Sequence, residues 1–234
     1  MLRSLASKRA LVLHPDRDEV WIAHPFSSSP SAFWVESDGR GWWGNCAWCS
    51  LGIAALCGGE VRIYTRCGGE RSPLELLVSD GRVSGAECVH MPLPVARLWD
   101  NVVHSCSMML CFSRASLVED WCRRHGLPRG QILSLDKAWE LAQGWYGGYL
   151  EPAWNRKSPD EVRSFYQGSG WEWTLDLVET VLLCLALTLP VWAWKPVTYE
   201  SLAEVVLRDF LEGRGLSRRS GTAFSASFEG KVLD

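Results

Sequence analysis

An α+β fold, with a mixed or antiparallel sheet core flanked by helices, is what this 234-residue sequence predicts. Three observations carry the prediction. Short stretches with apolar residues at every second position crowd the first third of the chain. Helical stretches with recognisable ends stand between groups of strands. Strands and helices do not alternate strictly, as a doubly wound parallel sheet would require.

Taken in order, residues 11–13 and 20–23 read as strands around the turn-rich stretch 14–18, and 26–31 reads as a loop. Residues 33–35 form a third expected strand, and Asp38-Gly39 a turn. A helix is expected to start near Asn45, a good capping residue, and to run to about Leu56, where Gly58-Gly59 ends it. Strands are expected over 61–65 and 74–78, with Asp80-Gly81 as a hairpin turn into 82–83. Residues 102–112, rich in Val, Met and Cys, read as a buried strand. Ser116 with Glu119 three residues on has the capping-box pattern of a helix running to His125, and Gly126 closes it. A strand over 131–135 and a helix over 138–145, capped by Asp136, complete the series. The expected organisation is a strand-rich segment at 1–40, a core domain at 41–175, and an apolar helix with a polar tail at 176–234.

Composition narrows the functional classes. A formal charge of -3 argues neither for nucleic acid nor for an acidic solvating tail. The first nine residues are basic and acid-free but lack the apolar run of a secretory signal. Residues 181–194 are almost wholly apolar, yet fall short of the roughly 20 residues that span a bilayer, and Pro190 interrupts them. A buried helix is expected there, and a membrane role is disfavoured. Fourteen tryptophans are expected to line core and pocket. Nine cysteines, an odd number in a chain too long to need stapling, point to a reducing, cytoplasmic setting with free thiols.

Cys46-Ala47-Trp48-Cys49 places two thiols at i and i+3 at a helix start, on one face. Backbone N–H groups there favour the thiolate, the form that binds metals and attacks electrophiles. The motif alone leaves several readings open. It lacks the βαβ setting of a thioredoxin-like site and a second ligand pair at zinc-finger spacing, and two small buried residues would fit equally. Cys106, on the expected strand 102–112, could face that helix or be a core residue. By the period-two rule His104 shares its face and is a possible proton donor, as is the nearby Asp100; Tyr64 and Glu60 are weaker choices. Cys67 is expected to be structural, and Cys57, Cys88, Cys111, Cys122 and Cys184 to be packing residues.

The segment from Trp43 to Leu51 resembles the first active-site segment of the alkylmercury lyases, in which Cys-Ala is followed by a variable residue and Asp. Residues 103–121 resemble the segment carrying the second cysteine, in the place of Cys106. Similarity covers about 40–146. It implies Cys46 and Cys106 as mercury ligands and protonolysis of carbon–mercury bonds, giving hydrocarbon and Hg(II). This chain departs from the pattern in having Cys49 at the aspartate position. Cys49 or His104 would then handle the proton, and Cys49 could also act as a third mercury ligand. A second departure is a strand-rich N-terminus where well-known members begin with helices. The resemblance implies no tightly bound cofactor, small thiols as co-reactants, mercury as substrate or product ion, an organomercurial or other apolar small substrate, and a possible mercuric reductase partner. Soft-metal (mercury or copper) binding without turnover, or an enzyme of small-molecule metabolism built on the same pocket, are the alternatives.

Overall fold

The computed structural model describes residues 1–7, 10–91, 98, 101–127 and 129–167. Asp100, Cys184, the apolar stretch 181–194 and the expected C-terminal segment 176–234 lie outside them.

The fold is α+β, and its strands pair antiparallel among the described residues. After a short helix α1 (Leu2–Ser7) come β1 (Val12–Leu13), β2 (Val20–Ala23), β3 (Phe26–Ser27), β4 (Trp34–Ser37) and β5 (Arg40–Gly44). Helix α2 (Ala47–Cys57) follows, then β6 (Val61–Arg66), a 3₁₀ turn at Cys67–Gly69, β7 (Pro73–Ser79) and β8 (Arg82–Ser84). These eight strands form one sheet in the order β1-β2-β3-β5-β4-β6-β7-β8. A second sheet, β10-β9-β11, joins β9 (Cys88–Met91) to β10 (Cys111–Phe112) and β11 (Gln131–Ser134). Helices α3 (Val102–Met108), α4 (Ser116–His125), α5 (Leu135–Tyr146) and α6 (Pro159–Gln167) complete the described chain.

Four sequence expectations need correction. Residues 26–27 form a strand, because Phe26 and Ser27 pair with β2 on one side and with Gly44 and Trp43 of β5 on the other. Residues 102–108 form a helix: the Asn101 side chain caps α3 by accepting the His104 N–H, and this outweighs the strand preference of Val102-Val103. The capping box at Ser116 does not form. Ala115 is the flanking residue with no side-chain cap, and Glu119 instead pairs with Arg129 at 3.2 Å. Helix α5 is capped by Ser134, whose side chain accepts the Lys137 N–H, so Asp136 falls inside the first turn.

Helix α2 is apolar nearly all round, and residues Ala47 to Ala54 are all buried. A helix of that kind needs cover on every face. It obtains this from β4 and β5 on one side and α5 on the other. Close approach to α5 depends on Gly52, where a Cβ would overlap the Tyr146 ring. Trp48 of α2 meets Trp145 and Tyr146 of α5 at centroid distances of 5.8 and 5.3 Å, and Tyr166 of α6 at 6.4 Å. Such tilted and edge-on aromatic contacts add to the burial term. Gly52→Ala is therefore expected to cost about 1–3 kcal/mol through overpacking, read as a lowered midpoint in thermal or denaturant unfolding. An unchanged midpoint would show that α2 and α5 do not pack this closely.

Candidate functional site

Cys46 ends the loop after β5 in an extended conformation and caps α2 with its own sulfur, which accepts the Cys49 N–H at 3.4 Å. Capping falls to the thiol rather than to the expected Asn45. Cys49 lies one turn into the helix, and both are buried. The C-terminal end of α3 is tied to this point: the Ala47 N–H donates to the Met109 carbonyl at 3.0 Å, and the Cys46 thiol lies 3.8 Å from the Met109 sulfur. That tie brings Cys106, on the last turn of α3, beside Cys49: the two line one cavity and their sulfurs lie within 4.8 Å of each other. The structure thus brings together the three thiols singled out in the sequence.

His104 does not join them. On a helix, residues two apart are rotated by about 200°, so the strand rule that aligned His104 with Cys106 fails once 102–108 is helical. His104 does not line the cavity at the thiols, and burial alone pulls its pKa down. Glu60 is ion-paired to Arg62 at 2.9 Å on the surface. Tyr64 sits on the face of β6 opposite Val61 and Ile63, and burial with the neighbouring Glu36 and Glu75 pushes it up to about 12.

Two residues that sequence reasoning missed stand in their place. His24, in the turn between β2 and β3, has Nδ1 3.6 Å from the Cys49 sulfur. Its turn is held beside α2 because the Asn45 N–H donates to the Pro25 carbonyl at 3.1 Å. Tyr146, the last residue of α5, has its hydroxyl 3.5 Å from the same sulfur. Neither carried a local signal. His24 is placed by the pairing of β3 with β5, and Tyr146 by the contact of α5 with α2.

The trio's electrostatics divide its members. Burial pushes Cys49 up, but hydrogen bonds with Cys106, Cys46 and His24 outweigh it and leave Cys49 well below the ordinary thiol value of 9.0. Cys46 is held well above that value, first by burial and then by the charge it shares space with at Cys49. Cys106 is held well above it by its hydrogen bonds to Cys46 and Cys49 and by burial. Cys49 is therefore the member of the trio that most readily carries negative charge, at a helix N-terminus where backbone dipoles favour it. Tyr146 stays a neutral phenol: burial raises its pKa, and the neighbouring Cys49 raises it further.

A cavity of about 20 Å³, room for roughly one water-sized body, is lined by His24, Cys49 and Cys106 with Trp48, Met109 and Tyr146. Leu98, Val102 and Ser105 close its other side. Among the described residues, no carboxylate lines it. The remaining cysteines lie elsewhere. Cys67 is buried at the 3₁₀ turn, where its sulfur accepts the Ser113 N–H at 3.5 Å, as suits a structural residue. Cys88, Cys111 and Cys122 are buried in the core, whereas Cys57 is exposed at the end of α2 rather than packed.

A model of the alkylmercury lyase family matches residues 26–147, a stretch that contains Cys46, Cys49 and Cys106. This chain belongs to the alkylmercury lyase family. No curated protein matches it. Among solved structures, the mercury-bound form of MerB2 aligns with a TM-score of 0.49 at 20% identity, covering 70% of this chain and 72% of that one. Among the described residues, no helix is long and apolar enough to cross a membrane.

The charge division has a measurable sign. A lowered Cys49 adds stability that is present above 9.0 and lost as pH falls through its folded value. The raised Cys46 and Cys106 add stability that is present below 9.0 and lost as pH rises toward their folded values. Thiolate ultraviolet absorbance of the folded protein is expected to persist on the acid side of 9.0 and to vanish there in Cys49→Ala. Absorbance that first grows in near the ordinary thiol value, with no effect of Cys49→Ala, would contradict the assignment.

Proposed function

We propose that this chain cleaves carbon–mercury bonds in organomercurials by protonolysis, releasing a hydrocarbon and Hg(II). Membership of the alkylmercury lyase family supports the reading. The observation that carries it is the meeting of Cys46, Cys49 and Cys106 at the start of α2, with Cys49 held below the ordinary thiol value. Hg(II) is soft and prefers sulfur, and a carbon bound to mercury becomes protonatable once thiolates donate electron density to the metal. The group holds both a nucleophile and an acid.

A proton passes from Cys46 to Cys49, leaving a Cys46 thiolate. It attacks mercury in R–Hg–S–R′, and the small thiolate R′S⁻ leaves. Cys106 then binds mercury while its proton moves to Cys49, which gives its own proton to carbon. R–H departs, and Hg(II) remains between Cys46 and Cys106. One small thiol and one small thiolate remove it as a bis-thiolate and restore the starting charge. His24, in reach of the Cys49 sulfur, favours that residue's charged form and so makes its proton easier to give, and the Tyr146 hydroxyl lies in reach of the same sulfur. The aromatic wall of Trp48 and the apolar Leu98 and Val102 suit the organic group once the pocket opens. Small thiols are the co-reactants, and a mercuric reductase is a fitting consumer of the product. A reducing cytoplasm suits thiols that must stay free.

Cys49 is a weaker acid than the carboxylic acid of the family pattern. Purified protein given phenylmercury and excess thiol is expected to release benzene, and Cys46→Ser or Cys106→Ser to lower the rate by at least about 100-fold, as loss of a nucleophile does. Cys49→Asp is expected to raise turnover. Absence of benzene from the wild-type and Cys49→Asp proteins alike would end the lyase reading.

A further inference from the structure

The thiol trio has a fourth donor that the lyase chemistry does not require. His24 comes from a separate hairpin, and its Nδ1 stands 3.6 Å from the Cys49 sulfur. The His24, Cys49 and Cys106 donor atoms all lie within 4.8 Å of one another. Cys46 stands next to this group, its sulfur 3.4 Å from the Cys49 backbone nitrogen, and supplies the remaining donor by turning inward. We propose that Cys46, Cys49, Cys106 and His24 form a Cys₃His site for a zinc ion, which holds the pocket until a more thiophilic metal displaces it.

Three observations carry this. Donor chemistry is the first: three thiolates and one imidazole are a set that zinc takes in closed tetrahedral sites. Spacing is the second. With Zn–S about 2.3 Å and Zn–N about 2.0–2.1 Å, a tetrahedral ion holds a sulfur and a nitrogen ligand about 3.6 Å apart. The Cys49–His24 separation has that value before any ion enters. Room is the third. A cavity of about 20 Å³ touching His24, Cys49 and Cys106 admits a single ion, whereas an organic group needs Trp48, Leu98 or Val102 to move.

The family pattern's aspartate would leave the set one thiol short; Cys49 supplies it. Each thiol that becomes a thiolate on binding gives one proton to solvent, and no electrons move. Zinc is borderline in softness and mercury is soft, so a site with three sulfurs should exchange the first for the second. Zinc occupancy would then shield the thiols from oxidation and silence turnover in the absence of mercury. Only that last consequence rests on the lyase reading; the site itself stands without it.

The test uses the full chain, stripped by chelator under reducing conditions and given one equivalent of zinc. One zinc per chain is expected to survive desalting, and cobalt in its place should show the thiolate charge-transfer and tetrahedral d–d bands of a sulfur-rich site. Outer-shell partners of metal ligands already carry about 10–100-fold in affinity, so His24→Ala should weaken zinc by at least that much. His24→Cys should keep zinc and shift the cobalt bands, which covers the case of a poorly folded His24→Ala. Cys57→Ser, at the exposed thiol, should bind as the wild type does. No retained zinc, equal affinity in His24→Ala, or loss of binding in Cys57→Ser would overturn the site. Benzene formation by a protein that retains no zinc would sink the site and leave the lyase. Retained zinc, with no benzene from the stripped protein, would do the reverse.

Discussion

Three buried thiols gathered at the start of α2 impose a demand that most of this molecule serves. A buried charge is costly unless donors surround it. Here two thiols, an imidazole, a phenol and a helix N-terminus surround it together. Cys46 and the helix N-terminus are local to Cys49, whereas Cys106, the imidazole and the phenol each come from a different part of the chain and must be fixed by tertiary structure. The bond from the Ala47 N–H to the Met109 carbonyl locks α3 onto the start of α2, and the Asn45–Pro25 bond locks the β2–β3 turn there as well. His90 reinforces the first lock, with its N–H donating to the Leu110 carbonyl and its Nδ1 2.9 Å from the Met108 carbonyl.

Much of the fold was legible where local chemistry and tertiary structure agree. The Asp80-Gly81 turn sets β7 against β8, both residues taking positive φ. Gly58 and Gly126 end α2 and α4 as a residue without a Cβ can. The reading failed where a long-range partner decided the outcome. Residues 102–108 look like a strand by their valines and methionines, yet a single asparagine side chain starts a helix there. Phe26 and Ser27 look like loop among serines and proline, yet strands on both sides recruit them.

The site was half legible for the same reason. Cys46 and Cys49 announce themselves by spacing at a helix start, and Cys106 by the company of the segment around it. His104 was chosen through a periodicity that does not apply to α3. His24 and Tyr146 were invisible because nothing in their neighbourhoods links them to a cysteine. Each reaches Cys49 only through a packing event, one of strands and one of helices. With Cys49 beside Cys46 and Cys106 the pocket gathers three sulfurs, and the two omitted residues are ones that reach the sulfur of Cys49.

The most direct test of the central claim is X-ray absorption at the mercury edge on the full chain loaded with one equivalent of Hg(II). With sulfurs from both segments in one pocket, the wild type should show two or three sulfur neighbours, and Cys106→Ala should lose one of them. An identical sulfur shell in wild type and Cys106→Ala would mean that the CxxC pair binds alone, and that α3 does not bring its thiol to the metal.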